Sequence, residues 1–191
     1  MGRFEKDYYL IRKKFFKLFG NAFHIYDADN NLLFYSKQKA FKLKEDIRLY
    51  ESEEMKEELL YIQARQVIDF SAAYDVIDSK KGEKVGALRR RGFKSIFKDE
   101  WIIMDGFDNE IGVIKEDNIF LALIRRFLTN LIPQTYSVFL GDREIAYFKQ
   151  NFNPFILKLT LDFSMDPEKK FDRRLGIAAG ILLTAIEGRQ D

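Results

Sequence analysis

Short stretches of alternating apolar and polar residues recur along the chain, separated by brief clusters of Asp, Asn, Gly and Lys, the pattern of hairpins in series. Phe23 to Tyr26 and Leu32 to Tyr35 flank Asp27-Ala-Asp-Asn-Asn31. Tyr74 to Ile77 and Val85 to Leu88 flank Asp78-Ser-Lys-Lys-Gly82, and Trp101 to Met104 and Ile111 to Ile114 flank Asp105-Gly-Phe-Asp-Asn109. Tyr136 to Leu140 and Ile145 to Phe148 flank Gly141-Asp-Arg143. Asp, Asn and Gly suit these turns because they tolerate left-handed backbone and bond to their own main chain. Further strands are expected over Tyr8 to Phe16, Ile47 to Glu51, Leu59 to Ala64, Val67 to Phe70 and Pro154 to Phe163. The last alternates Phe155, Leu157, Leu159 and Leu161 with Lys158, Thr160 and Asp162, so one face is buried and the other wet. Roughly a dozen strands exceed what a flat sheet carries comfortably, so about twelve antiparallel strands are expected to close into a barrel or a sandwich.

Two segments leave this period. Over 118–131, Ile119, Leu123, Phe127 and Leu131 recur every four residues, Asp117 or Asn118 can cap the start, and Ile132-Pro133 ends the run, which predicts an amphipathic helix crossing the barrel. Near the C-terminus, Asp166-Pro167, a helix-starting pair, and the charged stretch Glu168 to Arg174 lead into Leu175-Gly-Ile-Ala-Ala-Gly-Ile-Leu-Leu-Thr-Ala-Ile186. These twelve residues carry no charge, and Thr184 alone is polar. A helix apolar on all sides needs apolar partners all round, and this one falls short of the about 20 residues that cross a bilayer. It is expected to thread the barrel, with Leu175, Ile177, Ile181, Leu182 and Ile186 in the core. Gly176 and Gly180 form a small-xxx-small pair that could serve membrane-helix dimerisation, but in so short a segment they are expected to thin the helix so that strands can approach. Residues 1–191 then form a single mainly β domain with two helices.

Composition narrows the chemistry. With 32 Lys and Arg against 30 Asp and Glu, the net charge of +2 gives no reason to expect a nucleic-acid partner. Absence of cysteine removes disulfides, thiolate metal sites and cysteine nucleophiles. Met1 to Leu18 lacks the apolar run of a signal peptide, so a cytoplasmic location, peripheral at a membrane at most, is the expectation. His24 is the single histidine and falls on the strand face opposite Phe23 and Ile25, toward solvent. One histidine does not build a multi-histidine metal site. The Asp27 loop has Leu32 and Gln38 where a calcium loop needs Gly and Glu. The acidic run Glu51 to Glu58 reads as a solvated turn. No glycine-rich phosphate loop or G-x-S-x-G elbow occurs, and no cofactor is expected.

The basic residues point elsewhere. Arg89, Arg90 and Arg91 stand close to Lys94 and Lys98, and Lys80, Lys81 and Lys84 precede them. On a strand Arg89 and Arg91 share a face, about 7 Å apart, a spacing at which forked donors suit a phosphate. With net charge nearly neutral, the plainer reading of the same residues is a charged outer face balanced by Asp99 and Glu100.

The stretch Arg89-Arg-Arg-Gly-Phe93-Lys-Ser-Ile-Phe97-Lys-Asp-Glu-Trp101, running on through Asp105-Gly106 to Ile111-Gly112, resembles a pattern of the scramblase and LURP-one-related proteins. There a basic strand, a Phe and a Trp lead to an acid/Gly turn and an "I/V-G" pair. Phe23-His-Ile-Tyr-Asp-Ala-Asp-Asn-Asn31 resembles the first hairpin of that superfamily, to which the tubby C-terminal domain also belongs. The chain lacks the proline-rich region and acylatable cysteines of phospholipid scramblases, so the small single-domain LURP-one-like proteins are the nearer likeness. The resemblance implies a barrel around a C-terminal helix. It also implies a binding or scaffold role toward anionic lipid headgroups or another protein, with Arg89, Arg91, Lys94 and Lys98 as the headgroup-facing residues. Two other readings are a carrier or enzyme with a pocket inside the barrel, which needs the apolar helix outside it, and a scramblase-like protein tethered by that helix.

Overall fold

The computed structural model describes residues 2–16, 20–38, 46–65, 73–91, 100–117, 134–151 and 156–186. Twelve strands run in chain order: β1 (Tyr8–Phe16), β2 (Gly20–Tyr26), β3 (Leu32–Gln38), β4 (Ile47–Tyr50), β5 (Glu58–Ala64), β6 (Ala73–Asp78), β7 (Glu83–Arg90), β8 (Glu100–Met104), β9 (Glu110–Glu116), β10 (Thr135–Leu140), β11 (Arg143–Asn151) and β12 (Leu157–Asp162). Each pairs antiparallel with its sequence neighbours, and β1 pairs with β12 to close the barrel, so no sheet edge is left open. Strand Val67 to Phe70 and the helix expected over 118–131 lie outside the described residues.

The closure follows from the two-residue period. Across β12, β1, β2 and β3, Leu159, Ile11, Ile25 and Phe34 stand opposite one another. Tyr74, Leu88 and Ile103 continue the inward row across β6, β7 and β8, and Ile114, Val138 and Ala146 carry it across β9, β10 and β11. All are buried.

Among the described residues one helix, α1 (Arg173–Ile186), runs into this lumen. Every residue from Leu175 to Ala185 is buried, on all sides of the helix. Leu175, Ile177, Ile181 and Leu182 therefore occupy the core as their sequence implies; Ile186 is the last residue of the helix, and its side chain lies outside the described set. Two glycines are required by close approach. A Cβ on Gly176 would stand 2.5 Å from the Phe163 ring, and one on Gly180 would stand 2.7 Å from Ile11. The one polar residue, Thr184, satisfies its hydroxyl within the helix by donating to the carbonyls of Gly180 and Ile181.

Because the strands alternate in direction, the five connections β2–β3, β4–β5, β6–β7, β8–β9 and β10–β11, together with the passage from β12 into α1, all lie at one end of the barrel. Each contains one residue in the left-handed region: Asn30, Met55, Gly82, Asp108, Gly141 and Lys169, with φ between 53° and 68°. At Met55 and Lys169 this conformation costs about 1 kcal/mol, since neither residue is at home there. Four of the six also share an aspartate whose carboxylate accepts main-chain N–H groups from the turn. Asp27 takes those of Asp29 and Asn31, and Asp78 those of Lys80 and Lys81. Asp105 takes those of Phe107 and Asn109, and Asp166 those of Lys170 and Phe171. These bonds help hold all four carboxyls below the ordinary carboxylate value; for Asp78 and Asp166 burial acts in the opposite direction, and the main-chain bonds outweigh it together with the guanidiniums of Arg174 and Arg173.

The sequence reading starts the terminal helix at Asp166-Pro167, but α1 begins at Arg173. Residues 163–172 instead turn around the Asp166 carboxylate, and Asp172 serves as the cap, accepting the N–H of Arg174. Arg173 is buried beneath this turn. Its guanidinium donates to the Asp166 carboxylate at 2.7 Å, to the carbonyls of Phe171 and Asp166, and to Asp7, and it lies 4.6 Å over the Phe163 ring.

Candidate functional site

The outer wall built by β7, β8 and β9 carries the arginines singled out by sequence. Strand alternation turns Arg89 outward, while Arg90 stands in register with the inward-facing Trp101. Arg89 and Arg91 keep 36% and 56% of their side-chain surface exposed. Each has a carboxylate beside it: Glu110 for Arg89, and Glu100, at 2.7 Å, for Arg91. Lys94 and Lys98 lie outside the described residues. Lys84 sits between Asp75 at 3.1 Å and Asp108 at 2.7 Å, and Arg65 reaches the same two aspartates. Those two cations hold Asp108 below the usual carboxylate range, and they do the same to Asp75 although its burial pulls the other way. Lys80 pairs with Glu57 and Lys81 with Glu83.

The wall is thus a mosaic of ion pairs rather than a bare cationic patch. Exposed pairs of this kind are worth about 0–1 kcal/mol. A phosphate presenting several oxygens can therefore take a guanidinium from its carboxylate at little cost. The pairs border a small apolar cluster, Ala87, Ile102 and Met104, which faces outward yet is buried. Its cross-strand neighbours are Asp75, Arg89 and Glu110, whose side-chain stems share this wall.

His24 faces outward, as its place between Phe23 and Ile25 requires, but it is 96% covered, being only 4% exposed. Tyr35 packs edge-on at 5.1 Å, Tyr26 stacks at 6.3 Å, and Glu53 Oε1 lies 2.8 Å from Nε2. The solvent exposure expected for it is lost because the turn at Glu51 to Glu58 folds over β2 and β3 and places Glu53 on the ring. Among the described residues no group of three or more His, Asp or Glu is arranged to hold a metal ion, and no helix is long and apolar enough to cross a membrane.

Sequence reasoning passed over Lys13. It is fully buried in the lumen, 5.9 Å from the Phe23 ring, and donates at 2.7 Å to the carbonyl of Thr184 in the last turn of α1. A cation suits that position, where the helix exposes unpaired carbonyls and the negative end of its dipole. The signal was present in the period of β1, which puts Tyr9, Ile11 and Lys13 on one face.

Comparison with known proteins matches the model of the LURP-one-related proteins over residues 8–184. The chain belongs to the LURP-one-related family. Among solved structures it is similar to a crystal structure of a protein from Arabidopsis thaliana, with a TM-score of 0.50 and 14% sequence identity, covering 98% of this chain and 96% of that one. At that identity the likeness concerns the fold. No curated protein matches the sequence. Membership of the LURP-one-related family bears out the resemblance seen in the Arg89 to Gly112 stretch and the first hairpin, and with it the barrel around a C-terminal helix.

Proposed function

We propose that this LURP-one-related protein is a non-catalytic binding module that works through its outer surface and engages anionic phospholipid headgroups at the wall carrying Arg89 and Arg91. The observation that carries this reading is the helix in the lumen. With α1 buried from Leu175 to Ala185, the space a carrier or enzyme of this shape would use is filled by the chain itself. Function then falls to the exterior. There the half-exposed guanidiniums of Arg89 and Arg91 are held by weak surface pairs that a phosphate can exchange with. The enclosure of His24 among Tyr26, Tyr35 and Glu53 fits a structural role for the one imidazole.

Vesicle flotation tests this. The protein is expected to float with phosphatidylcholine vesicles containing a phosphoinositide or phosphatidylserine, less so as salt rises. Replacing both arginines (Arg89→Ala with Arg91→Ala) should weaken that binding about thirtyfold, from about 1 kcal/mol per cation at a charged bilayer. Failure to bind anionic vesicles at any salt concentration would refute the headgroup reading.

A further inference from the structure

At the end of the barrel that carries the six turns, four large hydrophobic residues are exposed. They are Met55, Phe107, Ile111 and Met165, and Phe107 is 90% exposed. Three of them occupy connections: Met55 that of β4–β5, Phe107 that of β8–β9, and Met165 the passage from β12 to α1. Around the rim these are every second turn. Between them come polar turns: Asp29 and Asn30, then Lys80 and Lys81, then Asp142 and Arg143. Successive apolar tips are four strands apart, about 20 Å along the wall at the usual strand spacing.

Phe107 is displayed by a turn secured at every other position. Asp105 accepts the N–H groups of Phe107 and Asn109 and the side-chain amide of Asn109. Gly106 lies against the Lys84 carbonyl so closely that a Cβ there would stand 2.9 Å away. Asp108 is tied to Arg65 and Lys84, and Glu110 to Arg89. The turn is therefore preorganised, and holding the phenyl ring out for a partner costs it no ordering. At Met55, where a left-handed φ of 54° favours Gly or Asn, the chain places a large apolar side chain 41% exposed. Strain accepted at an exposed position is a feature that fold stability does not explain.

We propose that this end of the barrel inserts its apolar tips, Phe107 first, into the interfacial layer of a lipid bilayer. Three tips spread around a barrel mouth and divided by charged turns form no continuous patch for a protein pocket to grip. A bilayer is planar, deformable and apolar just beneath its headgroups, and it accepts all three at once. Lys56, Lys80, Lys81 and Arg143 then lie at phosphate level, where long basic side chains are favoured. Nearby acids such as Glu54, Glu57 and Asp142 keep the net attraction small, so insertion rather than charge drives the contact. This shares with the headgroup reading only the class of partner, since it uses different residues.

The test uses the full chain with vesicles of phosphatidylcholine alone and of phosphatidylcholine with phosphatidylserine. Phe107→Ala should lose about tenfold in binding to both, the lower end of what burying a phenyl ring supplies, with its thermal midpoint unchanged. Met55→Gly should also bind less while its midpoint stays level or rises. Phe107→Trp should shift its emission to the blue on vesicles and be quenched by brominated lipid, against the buried background of Trp101, which is 1% exposed. Wild-type binding by Phe107→Ala, or an emission unchanged on bound vesicles, would overturn the proposal. Binding only to anionic vesicles, lost in the Arg89 and Arg91 variants but kept in Phe107→Ala, would uphold the headgroup reading and overturn this one. Binding to phosphatidylcholine alone, lost in Phe107→Ala but not in the arginine variants, would do the reverse. Absence of binding to either vesicle would overturn both.

Discussion

A chain ended after Arg174 is expected to lose its cooperative thermal transition and collect in the insoluble fraction. The reason is the size of what leaves. Leu175, Ile177, Ile181, Leu182 and Leu183 are each 3% exposed or less, and burial of such side chains contributes about 1.5–3 kcal/mol apiece, so about 8–15 kcal/mol in sum. That equals the whole net stability of an ordinary domain, about 5–15 kcal/mol. The loss also uncovers Ile11, Leu161 and Phe163, which pack against Gly176 and Gly180 of the helix. Circular dichroism during heating checks the outcome. A truncated chain that melts like the full one would mean that the barrel stands without its helix.

The second large effect lies where that helix enters. Asp166→Asn should lower stability by about 3–5 kcal/mol, because it removes the buried carboxylate beside the Arg173 guanidinium and leaves only the half-exposed Asp7 to pair with it. In a chain of this length the thermal midpoint should fall by about 10 °C. The two side chains are 1% and 2% exposed, so solvent cannot replace what is lost. Asp166 also sets the response to acid. Burial alone would raise its carboxyl; the N–H of Phe171, the guanidinium of Arg173 and the N–H of Lys170 outweigh it and hold the carboxyl below its ordinary value. A carboxyl depressed in the folded state contributes stability that is complete above the unfolded value, about 4, and is lost as pH falls from there through the folded value. Asp27, Asp78 and Asp105 are depressed in the same direction by their turns, so four turns loosen over one acid window. The midpoint of the wild-type chain should hold steady above that window and drop below it. In Asp166→Asn the drop should be shallower, since one depressed carboxyl is gone.

Much of this architecture is legible in the sequence because two periods carry it. Alternation in Tyr9, Ile11 and Lys13, or in Leu157, Leu159 and Leu161, fixes which residues face the lumen, and closure follows from the number of strands. The uncharged run from Leu175 to Ile186 could be placed inside because it has no polar face to show water. What local patterns could not place is pairing at long range. Lys13 and Thr184 are 171 residues apart, and their hydrogen bond depends on where a helix ends inside a barrel. Arg173 reads as one member of a charged stretch, yet its partners are fixed by a turn that the Asp166-Pro167 pair disguised as a helix start. The pairing of Arg89 with Glu110, and the gathering of Met55, Phe107 and Met165 at one rim, likewise emerge only when the strand order is known.

Hydrogen exchange of the α1 amides, with and without lipid vesicles, tests most directly the claim that the terminal helix is core and that function lies on the exterior. The account predicts that amides from Ile177 to Ala185 exchange as slowly as the inward positions of β1 and β12, through global unfolding alone, and that vesicles slow helix and strands to the same extent, as binding to the folded state must. Exchange in α1 faster than in those strands, or a change in α1 on adding vesicles that the strands do not share, would contradict it.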